Sequence, residues 1–276
     1  MSAKLFKNTE GKVLMSAGGK LIKQSYEFGN AFQNRMGLNN YMKFDLTGVA
    51  QYYSALVCWR NITASYNTPL FSLKNTNNDN YNFGADLGGA SNVGMQKNAT
   101  SNNNMGTQAM IFTNTIGRIM WLGCYIGQVM PYSLFSSGEF TQSISVETNN
   151  FPLLSGWIGA GRYANGSLPS YYAPNVKFSR FILLDRKWTL PEHRYLYNNA
   201  NGNDPQSNLG IIVDIHCNFA EILDFSTLQD GSDMRIGCRD YSGFNRHGEI
   251  INIPAGIDLE VKLAWANTNL FVDFLS

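Results

Sequence analysis

Charge is scarce in this sequence. Only 15% of its 276 residues are Asp, Glu, Lys or Arg, against about a quarter in an ordinary soluble domain. The formal net charge is +1, so no global electrostatic pull toward nucleic acid or a membrane surface is expected. There is no run of about 18 apolar residues, which argues against a helical membrane span. The start, "MSAKLFKNTEGK", lacks the apolar stretch of a signal peptide; the chain is therefore expected to fold in a cytoplasm. Histidine occurs three times and cysteine four, at Cys58, Cys124, Cys217 and Cys238. Two disulfides could be drawn among them, but without a secretion signal the thiols are expected to be reduced. Cys58 in "ALVCW" and Cys124 in "WLGCYIG" read as small core residues. A G-x-S-x-G elbow is missing, so a Ser–His–Asp hydrolase has no support. "GWIGAG" lacks the Lys-Ser/Thr ending of a phosphate loop and reads as a strand with glycines. Cys238 and His247 have no second pair at zinc-finger spacing, and His216 and Cys217 are neighbours that a strand would point apart.

What is present is a large apolar fraction, 44%, and a polar surface drawn from Asn, Ser, Thr, Gln and Gly. From Tyr41 onward short apolar runs alternate with turn residues: "YYSALVCWR", "PLFSL", "YNFGADL", "QAMIFTN", "RIMWLGCYIGQV", "SISVET", "GWIGAG", "VKFSRFILLD" and "LGIIVDI". That spacing predicts an all-β, two-sheet jelly-roll sandwich with one short helix and an N-terminal extended arm. "KNTNNDN" and "NATSNNNMGT" read as Asn-rich loops, and no internal repeat is evident. The helix is expected in "TLPEHRYLYNNANG". Thr189 with Glu192 three residues on makes a capping box, Pro191 fits the first turn, and Gly202 is placed for the exit. The tail "GIDLEVKLAWANTNLFVDFL" carries two patterns. Ile257, Leu259, Val261 and Leu263 alternate as in a strand, while Leu259, Leu263 and Ala266 form a helical stripe that tips the reading to helix. Three parts follow: a lysine-rich arm over 1–25, a sandwich over 26–208, and a C-terminal segment over 209–276 that completes the sandwich or contacts a neighbouring subunit.

Candidate chemistry is thin. Glycoside hydrolysis needs two carboxyl groups flanking one bond. Glu221 and Asp224 are three apart, which a strand would place on opposite faces, and Asp258 and Glu260 share their strand face with Lys262. No enzyme activity is therefore expected. Calcium could be held by loop oxygens, with Asp79 and Asp86 as candidate ligands; no other cofactor is implied. The triplets at Asn61, Asn98 and Asn165 are chance matches to a glycosylation signal. Most of the tryptophans lie in apolar runs and are expected in the core. Tyr163, Tyr171 and Tyr172, in the loop "RYANGSLPSYYAP", are the aromatics expected outside, as a glycan-binding set. "RDYSGFNRHGEI" (Arg239–Ile250) concentrates Arg, Asp and His around glycines, yet reads as a turn that Asp240 caps before "GEIINIP" continues as a strand. Gly243 is expected at positive φ, so that Gly243→Val is damaging and His247→Ala mild.

"SGWIGAGRYANGSLPSYYAPNVKFSRFILLDRKWTLPEHRYLYNN" resembles the end of a laminin-G-like domain of the concanavalin A-like lectin/glucanase superfamily. The matching features are Ile158-Gly159, the strand "VKFSRFILLD", Leu190, Glu192 and Tyr197, and "FDLTGVAQYYSALVCWR" is similar to an early strand of that family. "RDYSGFNRHGEI" resembles a piece that normally opens the domain, so its late position implies a permuted or strand-completed sandwich. "GKVLMSAGGKLIK" and the neutral Asn-rich surface resemble virion proteins of tailed bacteriophages, especially crAss-like phages of Bacteroides. That resemblance implies a non-enzymatic virion structural protein, a head fibre, capsid decoration or tail component. It would sit in the virion among other virion proteins as a homo-oligomer, for instance a trimer, with no nucleic-acid or membrane partner. The alternatives are a carbohydrate-binding adhesion module for a cell-surface glycan and, third, a glycan hydrolase.

Overall fold

A computed structural model describes residues 30–33, 39–49, 53–61, 68–85, 93–97, 104–108, 119–126, 132–136, 139–144, 151–161, 171–172, 176–198, 203–207, 209–226 and 234–273. In chain order the strands are β1 (Asn30–Gln33), β2 (Tyr41–Asp45), β3 (Tyr53–Asn61), β4 (Thr68–Asn75), β5 (Asn80–Ala85), β6 (Val93–Lys97), β7 (Asn104–Gln108), β8 (Ile119–Ile126), β9 (Tyr132–Ser136) and β10 (Glu139–Ile144). They continue with β11 (Leu153–Ile158), β12 (Ala160–Gly161), β13 (Tyr171–Tyr172) and β14 (Val176–Leu184). Helix α1 (Leu190–Tyr197), β15 (Ile211–His216), β16 (Glu221–Asp224), β17 (Met234–Cys238), β18 (Gly248–Ile251), α2 (Leu259–Asn269) and β19 (Phe271–Asp273) complete the chain.

These strands build the two antiparallel sheets of a jelly-roll sandwich. The first runs β10-β9-β8-β3-β14-β1-β19, with β15 also paired to β14; the second runs β16-β17-β18-β2-β11-β4-β5-β6-β7. The apolar runs become strands because each can bury one face against the facing sheet. Phe44, Phe71 and Phe181 meet between the sheets, with ring centroids 5.1 and 5.3 Å from Phe181. Gly156 admits the Phe44 ring, which a Cβ there would strike at 2.2 Å.

β14 is buried on both faces. Phe181 and Leu183 point into the inter-sheet core, while Ile182 and Leu184 join Ala31, Cys58, Ile211, Trp188 and Leu196 in a second cluster beneath α1. The capping box forms: the Glu192 N–H donates to Thr189 Oγ1 at 3.4 Å, and the Thr189 N–H donates to Glu192 Oε2 at 2.9 Å. The helix ends at Asn198, in the left-handed region at φ 42°, rather than at Gly202, which lies outside the described residues. "NATSNNNMGT" is not all loop, because β7 begins at Asn104.

The segment after Leu209 enters both sheets. β15 pairs with β14, β18 lies between β17 and β2, and β19 pairs with β1. The tail resolves into a second helix. Leu259, Leu263 and Ala266 share one face against the main core, which the alternating pattern cannot bury as a strand. Residues 1–25 lie outside the described residues.

Candidate functional site

The Asp240 turn joins the two sheets. Asp240 bridges Ile215 at the edge of β15, and the chain then returns as β18 in the other sheet. Its buried carboxylate accepts from the Asp214 N–H (2.7 Å), the Ser242 N–H (3.0 Å), Ser242 Oγ (2.6 Å) and the Arg246 N–H (2.9 Å). Those donors saturate it, so it is a structural cap rather than a free base. Gly243 at φ 92° and Asn245 at φ 55° supply the left-handed residues of the turn. Arg246 Nη1 donates to the Asp45 carbonyl at 3.1 Å and ties the turn to β2.

His247 is not the tolerant position that the sequence suggests. It is 7% exposed and its Nδ1 accepts the Asp240 N–H at 3.1 Å. Burial, the largest influence, lowers its pKa and keeps it neutral. His247→Ala leaves a buried N–H unsatisfied, at a cost of about 1–3 kcal/mol. Gly243→Val meets open space and costs about 1–2 kcal/mol of backbone strain. Thermal melts should therefore show both variants destabilised, with His247→Ala at least as affected, and unchanged by a chelator. A chelator-dependent melt would instead make the turn a metal site.

A chain of charged and aromatic groups runs along the outer face of β14 and β15. Arg180 is 3% exposed and Asp214 6%. Arg180 Nε and Nη2 donate to the two Asp214 oxygens, each at 2.8 Å, a bidentate pair. Arg180 Nη1 reaches Asp204 Oδ1 at 3.0 Å. His216 Nε2 lies 3.3 Å from Asp214 Oδ1, and the His216 ring meets that of Tyr241 at 4.3 Å. Burial alone would raise the Asp214 carboxyl; hydrogen bonds from Arg180 and His216, and the Arg180 charge, bring it down to about 2.

Among the described residues no group of three or more His, Cys, Asp or Glu could hold a metal ion. Cys58, Cys217 and Cys238 are buried, and burial holds the Cys217 and Cys238 thiols well above their usual pKa, which makes them unreactive. Asp79 closes the β4–β5 turn: its Oδ2 accepts from the amides of Asn75 and Asn77, each at 3.3 Å. Asp86, the other residue of the calcium expectation, lies outside the described residues, as does Tyr163. Glu221 pairs with Arg239, whereas Asp224 accepts from the Ser226 N–H. Asp258 and Glu260 start α2 and share no strand face.

Tyr171 and Tyr172 form β13, which pairs with β12. Gly159, at φ 77°, turns the chain after β11 so that this hairpin folds back against β4. The approach is close: a Cβ on Gly161 would lie 2.7 Å from Pro69 and 3.1 Å from Ser72 Oγ. The ground beneath it is neutral. Ser72 Oγ donates to Asn82 Oδ1 at 2.6 Å, and Trp157 packs with Tyr41, Ala160 and Ile251. A separate groove of about 400 Å³ lies between β17, β18 and α2, walled by Met234, Ile253 and Leu259 with Arg235, Glu249 and Lys262 at its rim.

With both sheets and their outer faces placed, the chain can be set beside solved structures. It matches a candidate carbohydrate-binding protein from Bacteroides ovatus at 12% identity and TM-score 0.55, over 81% of this chain and 58% of that one. It also matches the heptameric SAP-like pentraxin of Limulus polyphemus at 13% identity and TM-score 0.51, over 80% of this chain and 98% of that one. The fold shared with both is a two-sheet β-sandwich. No family model and no curated protein matches the sequence. The match spans little more than half of the Bacteroides protein but nearly the whole pentraxin.

Proposed function

We propose that the chain is a glycan-binding β-sandwich module that holds its ligand without cleaving it. The observation that carries this reading is the two-sheet β-sandwich that the chain shares with a candidate carbohydrate-binding protein and a pentraxin, on which the β12–β13 hairpin of Tyr171 and Tyr172 lies against β4 over the buried Ser72, Asn82 and Trp157. A chain with only 15% charged residues and many Asn, Ser and Thr suits sugar hydroxyls better than it suits charged partners. The similarity to a candidate carbohydrate-binding protein and to a pentraxin supports the same reading. The virion role suggested by the sequence resemblance gains nothing from these neighbours, so glycan binding takes its place as the leading reading. Assignment as a binder rather than a hydrolase rests on the carboxylates: Asp214 is engaged by Arg180, Asp240 by four donors and Glu221 by Arg239.

The test is a glycan array probed with the full chain, paired with a reducing-sugar assay on every glycan bound. Selective binding with no release of reducing ends is expected. Cleavage would replace the binding reading with a hydrolase. A blank array together with stable co-sedimentation on phage particles would restore the virion reading.

A further inference from the structure

The turn that joins the two sheets closes on a titratable group. His247 is buried, and its Nδ1 accepts the Asp240 N–H at 3.1 Å. A backbone N–H can only donate, so Nδ1 holds a lone pair and the ring proton sits on Nε2. An imidazolium has no lone pair left. A proton added at Nδ1 sets two N–H groups against each other in a buried place, and the Asp240 N–H loses its acceptor. The bond therefore exists only while His247 is neutral.

The whole junction depends on the residue that His247 holds. Asp240 bridges Ile215 of β15, and its carboxylate gathers the N–H groups of Asp214, Ser242 and Arg246. Arg246 reaches back to the Asp45 carbonyl of β2, and His247 leads directly into β18. The Phe225 ring stands edge-on to the imidazole, 5.9 Å away at 83°. Charges of both signs surround it. Asp240 flanks it within the turn, Glu221 and Asp224 act from β16, and Arg239 acts from just past β17. Arg239 is itself engaged by Glu221. On β2, Asp45 lies 3.9 Å from Arg246, and Lys43 is in register with Glu249 of β18. Arg235 lies 6.0 Å from the Phe225 ring and pairs with Glu249 at 3.1 Å.

We propose that the Asp240 turn is an acid-released latch, in which protonation of His247 opens the turn and frees the junction between β15 and β18. Burial outweighs the three carboxylates and holds the His247 pKa below its ordinary 6.5. In the open turn the histidine takes up a proton as the pH falls through that ordinary value, whereas in the closed turn it resists doing so. The closed turn is therefore at full strength above about pH 6.5 and weakens as the pH falls beneath it. This window lies above the one in which a carboxylate such as Asp214 is protonated. The latch is independent of the glycan-binding reading.

Hydrogen exchange of the full chain, read by mass spectrometry and corrected for the intrinsic pH dependence of exchange, tests the latch. Peptides spanning Arg239–Glu249 should lose protection by up to about tenfold between about pH 7.5 and about pH 5.5. They should also exchange faster than peptides of β14 throughout, since the turn opens by itself. His247→Asn keeps an acceptor oxygen on a short side chain and cannot be protonated. Its turn should exchange at a corrected rate that does not change over that range. In the parent chain the His247 ring, followed by NMR, should titrate with a midpoint below 6.5. A midpoint at or above that value removes the linkage and overturns the latch, whether or not the asparagine variant folds. The same pH dependence in His247→Asn would put the sensor elsewhere and overturn it too. A turn that exchanges no faster than β14 at about pH 5.5 opens only with the whole sandwich, and the latch is then refuted.

Discussion

A chain truncated after Asn208 should not fold. It should appear in inclusion bodies or as soluble aggregate, without a cooperative thermal transition. The removed segment supplies β15, β16, β17, β18 and β19, which enter both sheets. Without it, β2 loses its β18 partner, and β14 and β1 lose β15 and β19. The exposed edges carry unpaired backbone groups beside apolar side chains, a template for aggregation. The main core also loses Val213, Ile215, Ile236, Ile250 and Phe271, all buried. Each contributes about 1.5–3 kcal/mol, so their sum reaches the whole stability of an ordinary domain, about 5–15 kcal/mol. A monomeric truncated product that melts cooperatively would show the strands after Leu209 to be accessory.

Arg180→Met should cost about 3–5 kcal/mol, because it strands the Asp214 carboxylate in a buried position. Adding Asp214→Leu should restore much of that loss, since an apolar pair of similar volume avoids the desolvation of both ions. Urea unfolding of the two single variants and the double variant measures the coupling. Equal destabilisation by Arg180→Met alone and by the double variant would mean that the ion pair is not the cause. The same pair sets an acid limb. The folded pKa of Asp214, about 2, lies below its ordinary value of 3.8, so its contribution is present above about pH 4 and fades as the pH falls toward 2. The double variant should lack that part of the acid loss, seen as a flatter stability curve between pH 4 and pH 2.

Much of the local structure was legible in the sequence. Thr189 and Glu192 declared the start of α1, and the β14 run "VKFSRFILL" declared a buried strand, because hydrogen bonding and burial there depend on neighbours a few residues away. Asp240 was legible as a turn cap for the same reason: two of its four donors come from Ser242. The tail divided between strand and helix until the core chose the face that Leu259, Leu263 and Ala266 share.

The candidate sites were less accessible. Arg180 and Asp214 each sit inside an apolar run, and a lone charge in such a run signals a buried partner. Which partner it is depends on the register of β14 against β15, which brings together residues 34 positions apart. The sequence by itself determined the class of the fold, because alternation of apolar residues dictates sheets and scarcity of charge dictates a neutral surface. The tertiary structure decided the strand order, the insertion of the C-terminal strands and the pairing of Arg180 with Asp214, because each depends on contacts between segments whose pairing no local pattern encodes.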